Sequence, residues 1–102
     1  MTENHKYFEA LIQVQDKVTL SNMFGKPCGK INKKAFIAFF EDEMVFKIGR
    51  EEIKELLYKY SGSKNWDPSG KNRAMKDWIQ IPEEYKSDWS QLMQKAIEFM
   101  HS

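Results

Sequence analysis

Between Lys34 and Glu41 the chain reads KAFIAFFE, with apolar side chains at both odd and even positions. A strand with one wet face alternates apolar and polar residues, whereas a strand filled at both parities needs cover on both faces. This stretch therefore predicts a central strand with Phe36, Phe39 and Phe40 in a core. Turn residues flank it: Asn32-Lys33 before it and Asp42-Glu43 after it. Two tight connections in succession favour an antiparallel meander, because a parallel crossover needs a dozen or more residues.

The neighbouring segments fill in the sheet. Asn22 to Ile31 reads as a first strand interrupted by Gly25, Pro27 and Gly29, which places it at an edge or across a bulge. Met44 to Ile48 reads as a third strand. Met75 to Ile81 reads as a fourth, holding Trp78 and closed by Pro82. Helical spacing frames these strands. Thr2 can cap a helix from about Glu3 to Lys17, with Tyr7, Phe8, Leu11, Ile12, Val14 and Val18 on one stripe. Ile53, Leu56, Leu57 and Tyr60 mark a second helix that starts with Glu51 and Glu52 and stops at Ser61-Gly62-Ser63. Trp89, Leu92, Met93, Ala96, Ile97 and Met100 mark a third, with Ser87 or Asp88 as its cap. The expectation is one α+β domain over residues 1–102, in the order α-β-β-β-α-β-α. It has two layers: a mostly antiparallel sheet of about four strands with amphipathic helices packed on it.

Composition excludes several functions. Lys and Arg number 16 against 15 Asp and Glu, so the net charge of +1 gives no global pull toward nucleic acid or a membrane. The opening MTENHKYFEALIQ lacks an apolar run of signal length, and a lone Cys28 fits a reducing compartment, so a cytoplasmic protein is expected. No metal and no cofactor is expected. His5 and His101 stand near opposite ends of the chain, in no ligand spacing, and Cys28 has no partner cysteine. Cys28 reads as a partly buried thiol. The clusters Glu41-Asp42-Glu43, Glu51-Glu52 and Glu83-Glu84 sit at turns and helix starts, so no acid–base pair stands out and no enzyme is expected. The strand KAFIAFFE lacks the glycine and the alternating aromatics of an RNA-recognition motif.

The segment SGSKNWDPSGKNR, Ser61 to Arg73, reads as a polar loop outside the packed body, with Asp67-Pro68-Ser69-Gly70 as a turn. Gly70-Lys71 is followed by Asn72, so no phosphate loop of the nucleotide-hydrolysing kind is present. Anion binding by backbone N–H groups around Ser69-Gly70 stays open. Nine of the 16 basic residues fall within residues 26–34 and 59–76, where only Asp67 is acidic. If these stretches share a face, Lys64, Lys71, Arg73 and Lys76 form an anion or nucleic-acid site, with Trp66 as a stacking surface. The competing reading has solvated lysines guarding a sheet edge, with Trp66 folded back as a lid.

Met23-Phe24-Gly25, the hairpin KAFIAFFEDEMVFKI, the run DPSGKNRAMKDW and a C-terminal amphipathic helix together resemble the TfoX N-terminal domain family, from about Leu20 to Met100. On that resemblance Met23, Phe24, Gly25, Asp67, Pro68, Gly70 and Trp78 are motif positions. It implies a small α+β domain with an antiparallel sheet, often grouped with dimer-forming folds, and no established enzymatic activity. The family's named member is a bacterial regulator of DNA-uptake competence that carries a second, helical domain. The expected function is a non-enzymatic module that binds a protein partner or forms a homodimer, with no membrane partner. Nucleic-acid or anion binding by the basic loops is the alternative.

Overall fold

The computed structural model describes residues 1–102 and shows an α+β fold of three helices and a six-stranded antiparallel sheet. Helix α1 (Glu3–Gln13) leads into β1 (Thr19–Met23), β2 (Lys26–Ile31), β3 (Lys34–Phe40) and β4 (Glu43–Lys47). Helix α2 (Arg50–Lys59), β5 (Lys64–Trp66) and β6 (Met75–Ile81) follow. A short 3-10 helix (Glu83–Asp88) then opens α3 (Trp89–Met100). The sheet order is β1-β2-β3-β4-β6-β5.

The sheet has two strands more than the four expected from the sequence. The segment from Asn22 to Ile31 is not one interrupted strand. Phe24 and Gly25 both have positive φ, at 54° and 74°, and fold it into the β1–β2 hairpin. The same two-residue turn recurs at Asn32-Lys33 and at Glu41-Asp42, each with positive φ at both residues. Positive φ at both central residues defines the turn type whose twist matches paired strands. The third turn therefore sits one residue earlier than Asp42-Glu43, and Glu43 pairs with Phe40.

The second unexpected strand is β5, inside the segment expected to lie outside the packed body. It pairs with β6, and Trp66 is wholly buried. A short edge strand in polar sequence carries no periodicity of its own. Its strand character comes from pairing with β6 and from burial of one indole.

Helix α1 ends at Gln13 rather than near Lys17, and Val14 is 73% exposed. The chain must turn through Gln15–Lys17 to enter β1, and β-branched Val18 and Thr19 favour the extended form. Thr2 caps α1, its hydroxyl accepting from the His5 N–H at 3.0 Å. No side-chain cap closes the start of α3; the 3-10 helix delivers the chain there instead. Helix α2 is capped from across the sheet. One Asp77 carboxylate oxygen accepts from the Arg50 backbone N–H at 3.0 Å and from its guanidinium at 3.2 Å. The Asp77 carbonyl accepts from Ile48 and Gly49. The guanidinium contact comes first among the causes that hold the Asp77 carboxyl below its usual range.

All three helices pack on one face. Their buried residues, Phe8, Leu11, Ile12, Ile53, Leu56, Trp89, Leu92, Met93 and Ala96, join Phe36, Ile37, Phe39, Met44, Phe46, Ile79 and Ile81 in one core. A bulge in β3 helps: the pairing skips Phe36, and both Phe36 and Ile37 reach this core. Gly29 permits the closest approach. A Cβ there would lie 2.6 Å from Ile12 Cδ1 and 2.8 Å from Ile37 Cγ2.

The other face carries a second, smaller core of Cys28, Ala38, Val45, Trp66 and Trp78, flanked by Met23, Ala35, Phe40 and Met75. No helix contributes to it. Trp66 comes from the last strand of the sheet order, yet its ring meets Phe24, in the turn after the first strand, at 6.2 Å. The sheet therefore curls across this face, and Trp66 fills the curl.

Candidate functional site

The cavity with the most polar lining lies on the helix-free face, where the β3–β4 turn meets β5, β6 and the loop after Trp66. It encloses about 440 Å³ among Phe40, Glu41, Lys64, Gln80 and the Asp67–Gly70 turn. Each wall has a structural cause. Glu41 is presented by the positive-φ turn at Glu41-Asp42. That turn is held from behind by α1: the Thr2 hydroxyl and the Asn4 amide donate to the Asp42 carboxylate, and Asn4 also donates to the Asp42 carbonyl at 3.2 Å. Asn4 is buried and donates further to Glu83 at 2.7 Å, so one amide ties three segments together.

Gln80 forms the back of the cavity. It is 2% exposed, on β6 opposite Lys64 of β5 and Val45 of β4. Its side-chain N–H2 donates to Glu43 Oε1 at 2.8 Å and to Glu41 Oε1 at 3.4 Å. Ionised carboxylates only accept, so they fix which end of the amide faces them. The amide oxygen at the other end is buried and accepts from nothing. A buried acceptor left empty costs roughly 1–3 kcal/mol, which makes this atom the least satisfied part of the site.

The loop forming the outer rim is organised by Asp67. Its Oδ1 accepts from the Ser69 hydroxyl at 2.6 Å and from the Ser69 and Gly70 N–H groups at 3.1 Å each, and its Oδ2 accepts from the Arg73 N–H at 3.0 Å. The Ser69 hydroxyl leads the causes that lower the Asp67 carboxyl below its usual range, with the backbone donors adding to it. The turn expected at Asp67-Pro68-Ser69-Gly70 is present. Its N–H groups are not open to an external anion, because this internal carboxylate already takes them.

The residues read as a basic site are spread over several surfaces. Lys64 lines the polar cavity. Arg73 lines an adjoining, mainly apolar groove with Phe24 and Met75. Lys76 faces a third groove beside α2, with Arg50 and Lys54. Lys71 is exposed on the loop between them. Trp66 is at 0% exposure, packed against Trp78 at 5.1 Å and Phe40 at 5.8 Å, so it offers no stacking surface. Among the family-motif positions, Phe24 is 63% exposed, Met23 flanks the second core and Trp78 lies within it.

Catalytic candidates stay apart. His5 stacks on Phe39 at 5.0 Å, and His101 ends α3. Cys28 is fully rather than partly buried, and that burial pushes its thiol pKa up, away from the reactive thiolate. No three histidine, cysteine or carboxylate side chains converge as a metal cage, and no helix is long and apolar enough to cross a membrane.

Gln80 was not singled out from the sequence, and Glu41 and Glu43 were read only as parts of a turn. In MKDWIQI, Gln80 sits between two isoleucines and looks like an ordinary outward-facing polar residue. Only β5 pairing alongside buries it. No family model, curated protein or solved structure matches the chain, so its function has to be read from its own geometry.

Proposed function

We propose that this chain is a non-catalytic interaction module that self-associates by pairing β1 with β1 of a second copy. The observation that carries this reading is the contrast between the two sheet edges. The β5 edge is blunted: it spans three residues, carries Lys64, and the Asn65 side chain donates to the Lys76 and Trp78 carbonyls. The β1 edge, TLSNM, has no charge, no proline and no bulge, and its outer side has no partner strand. Unguarded edges of that kind are templates for another strand. Antiparallel pairing about Ser21 would set Leu20 beside Asn22 of the second copy, with no like charges opposed. Leu20, 45% exposed, would be covered. The resemblance to the TfoX N-terminal domain family, carried by Met23-Phe24-Gly25 and by Asp67 to Trp78, supports a dimerising module. It also supports a bacterial, cytoplasmic setting.

Light scattering coupled to size exclusion tests it across a concentration series. The expected result is a dimer that becomes a monomer in Leu20→Lys, since an edge lysine blocks strand addition. A strict monomer at every concentration, with no co-purifying protein, refutes the reading.

A second reading has one specific support. None of Lys26, Lys30, Lys33, Lys34, Lys64, Lys71, Arg73 and Lys76 forms an ion pair. Unpaired cations suit a polyanion, with affinity that falls steeply as salt rises. Oligonucleotide binding that weakens with salt, and whose salt dependence flattens in a Lys71→Ala, Arg73→Ala variant, is its expected signature. No affinity at low ionic strength ends it.

A further inference from the structure

We propose that the groove between α2 and the β5–β6 edge binds the phosphate monoester group of a small organic molecule. The inference is independent of the β1 edge, which lies at the opposite end of the sheet order.

Three cationic side chains border this groove: Arg50 and Lys54 of α2, and Lys76 of β6. It encloses about 310 Å³, and Ile53, Leu57 and Asn65 complete its lining, with no carboxylate among them. The α2 wall follows from helical spacing. Arg50, Ile53, Lys54 and Leu57 fall at i, i+3, i+4 and i+7, so they share one face of the helix. Glu51, Glu52 and Glu55 fall outside that stripe. Lys76 is supplied by a break in strand pairing. Asn65 pairs with Ile79 and Trp66 with Met75, so residues 76–78 have no partner on β5. The Asn65 side-chain N–H2 fills the gap, donating to the Lys76 carbonyl at 3.3 Å and to the Trp78 carbonyl at 3.1 Å.

The cations are free to act on a guest. Arg50 Nε donates to Asp77 at 3.2 Å, which orients the guanidinium while its two terminal nitrogens donate to nothing. Lys76 is exposed and forms no ion pair. Lys54 reaches Glu51 only at 3.7 Å, and an exposed pair of that kind contributes about 0–1 kcal/mol. Asp77 offsets one positive charge, and Lys47, close enough to act on the Asp77 carboxyl, restores it. Charge and oxygen count select the guest. A phosphate monoester brings a charge of about −1.5 to −2 and three acceptor oxygens. A carboxylate or a phosphate diester brings one charge. The planar guanidinium suits two phosphate oxygens at once, and the two ammonium groups act as point charges on the rest. Ile53, which is 2% exposed, and half-buried Leu57 give the groove an apolar floor, which suits an organic body better than free phosphate.

The test is a ¹⁵N NMR titration of the full chain, following the Arg50, Lys54 and Lys76 amides and the Asn65 side-chain N–H2. Phenyl phosphate is compared with methyl phenyl phosphate, benzoate and inorganic phosphate, at ionic strength matched with sodium chloride. Saturating shifts at these positions are expected with phenyl phosphate, about tenfold tighter than with the diester or benzoate. Inorganic phosphate should shift the same positions more weakly. Lys76→Gln should weaken phenyl phosphate about tenfold, the loss of one charged hydrogen bond. Arg50→Lys, which keeps the charge and removes the fork, should weaken it as well. The Lys71→Ala, Arg73→Ala variant and Leu20→Lys should both leave the titration unchanged, so its outcome is separate from polyanion binding and from oligomeric state. A capped Gly-phosphoserine-Gly peptide checks the source: weaker binding than phenyl phosphate supports a small ligand, and tighter binding assigns the groove to a phosphoprotein and overturns that part. No saturation, a diester or benzoate bound as tightly as the monoester, or an unaltered affinity in Lys76→Gln would overturn the proposal.

Discussion

Replacing Trp66 with alanine separates two accounts of the segment from Ser61 to Arg73. On sequence grounds Trp66 stands in a polar loop, where substitutions change stability by about 0.5 kcal/mol or less. In the structure it is at 0% exposure, and its ring meets those of Trp78 at 5.1 Å, Phe40 at 5.8 Å and Phe24 at 6.2 Å. A buried tryptophan cut back to alanine costs about 3–5 kcal/mol, the removed transfer energy plus the cavity left behind. The upper half of that range applies here. No helix lies over this core to collapse into the space, and three aromatic contacts are lost together. Taking about 4 kcal/mol and a urea m-value of about 1.5 kcal/mol/M, the midpoint should fall by roughly 2.7 M. Circular dichroism at the helix band is the assay, since the three helices report global unfolding and the signal does not depend on the indole removed. If the alanine variant is too unstable to purify, Trp66→Phe still decides the matter. The smaller ring loses contact area, but it also removes an indole N–H that is buried without an acceptor, itself worth roughly 1–3 kcal/mol. The net cost of that variant should be under about 2 kcal/mol. An alanine variant within about 1 kcal/mol of the parent would refute the second core as a structural element.

Three further outcomes are expected. Gly49→Ala should destabilise by about 2 kcal/mol in the same denaturation assay, because φ is +98° and a Cβ would meet Phe99 Cε1 at 2.7 Å. Tyr60→Phe should cost about 1.5–3 kcal/mol through loss of the hydroxyl's 2.9 Å hydrogen bond to the Asp88 carboxylate. Burial first, then that bond, pushes the Tyr60 pKa up to about 12, so its contribution is complete below pH 10 and is lost as pH rises from 10 through 12; urea midpoints across that window should converge for parent and variant. Asp67→Asn should speed amide exchange at Gly70 and Arg73; in the parent the same loosening should appear only as pH falls through the lowered carboxyl pKa, because a depressed pKa stabilises above the ordinary carboxylate range and ceases to below it.

The three helices, the antiparallel meander and the double-sided burial of β3 follow from local pattern. Residues at i, i+3, i+4 and i+7 in Ile53–Tyr60 can bury only one stripe. The unalternating KAFIAFFE can be stable only with cover on both faces, and Phe36 and Ala38 do lie in different cores. These signals are short-range, and a chain displays them before it folds. Pairing between distant segments is not of that kind. That Lys64-Asn65-Trp66 forms a strand depends on β6 lying alongside, and that Gln80 is buried depends on the same pairing. The sheet's curl decides that Trp66 closes a core instead of meeting a ligand, and that Lys64, Arg73 and Lys76 open onto different surfaces. Periodicity encodes which way a side chain points within its own element. What it meets there is set by long-range packing, and so the cavity behind Glu41 exists only in three dimensions.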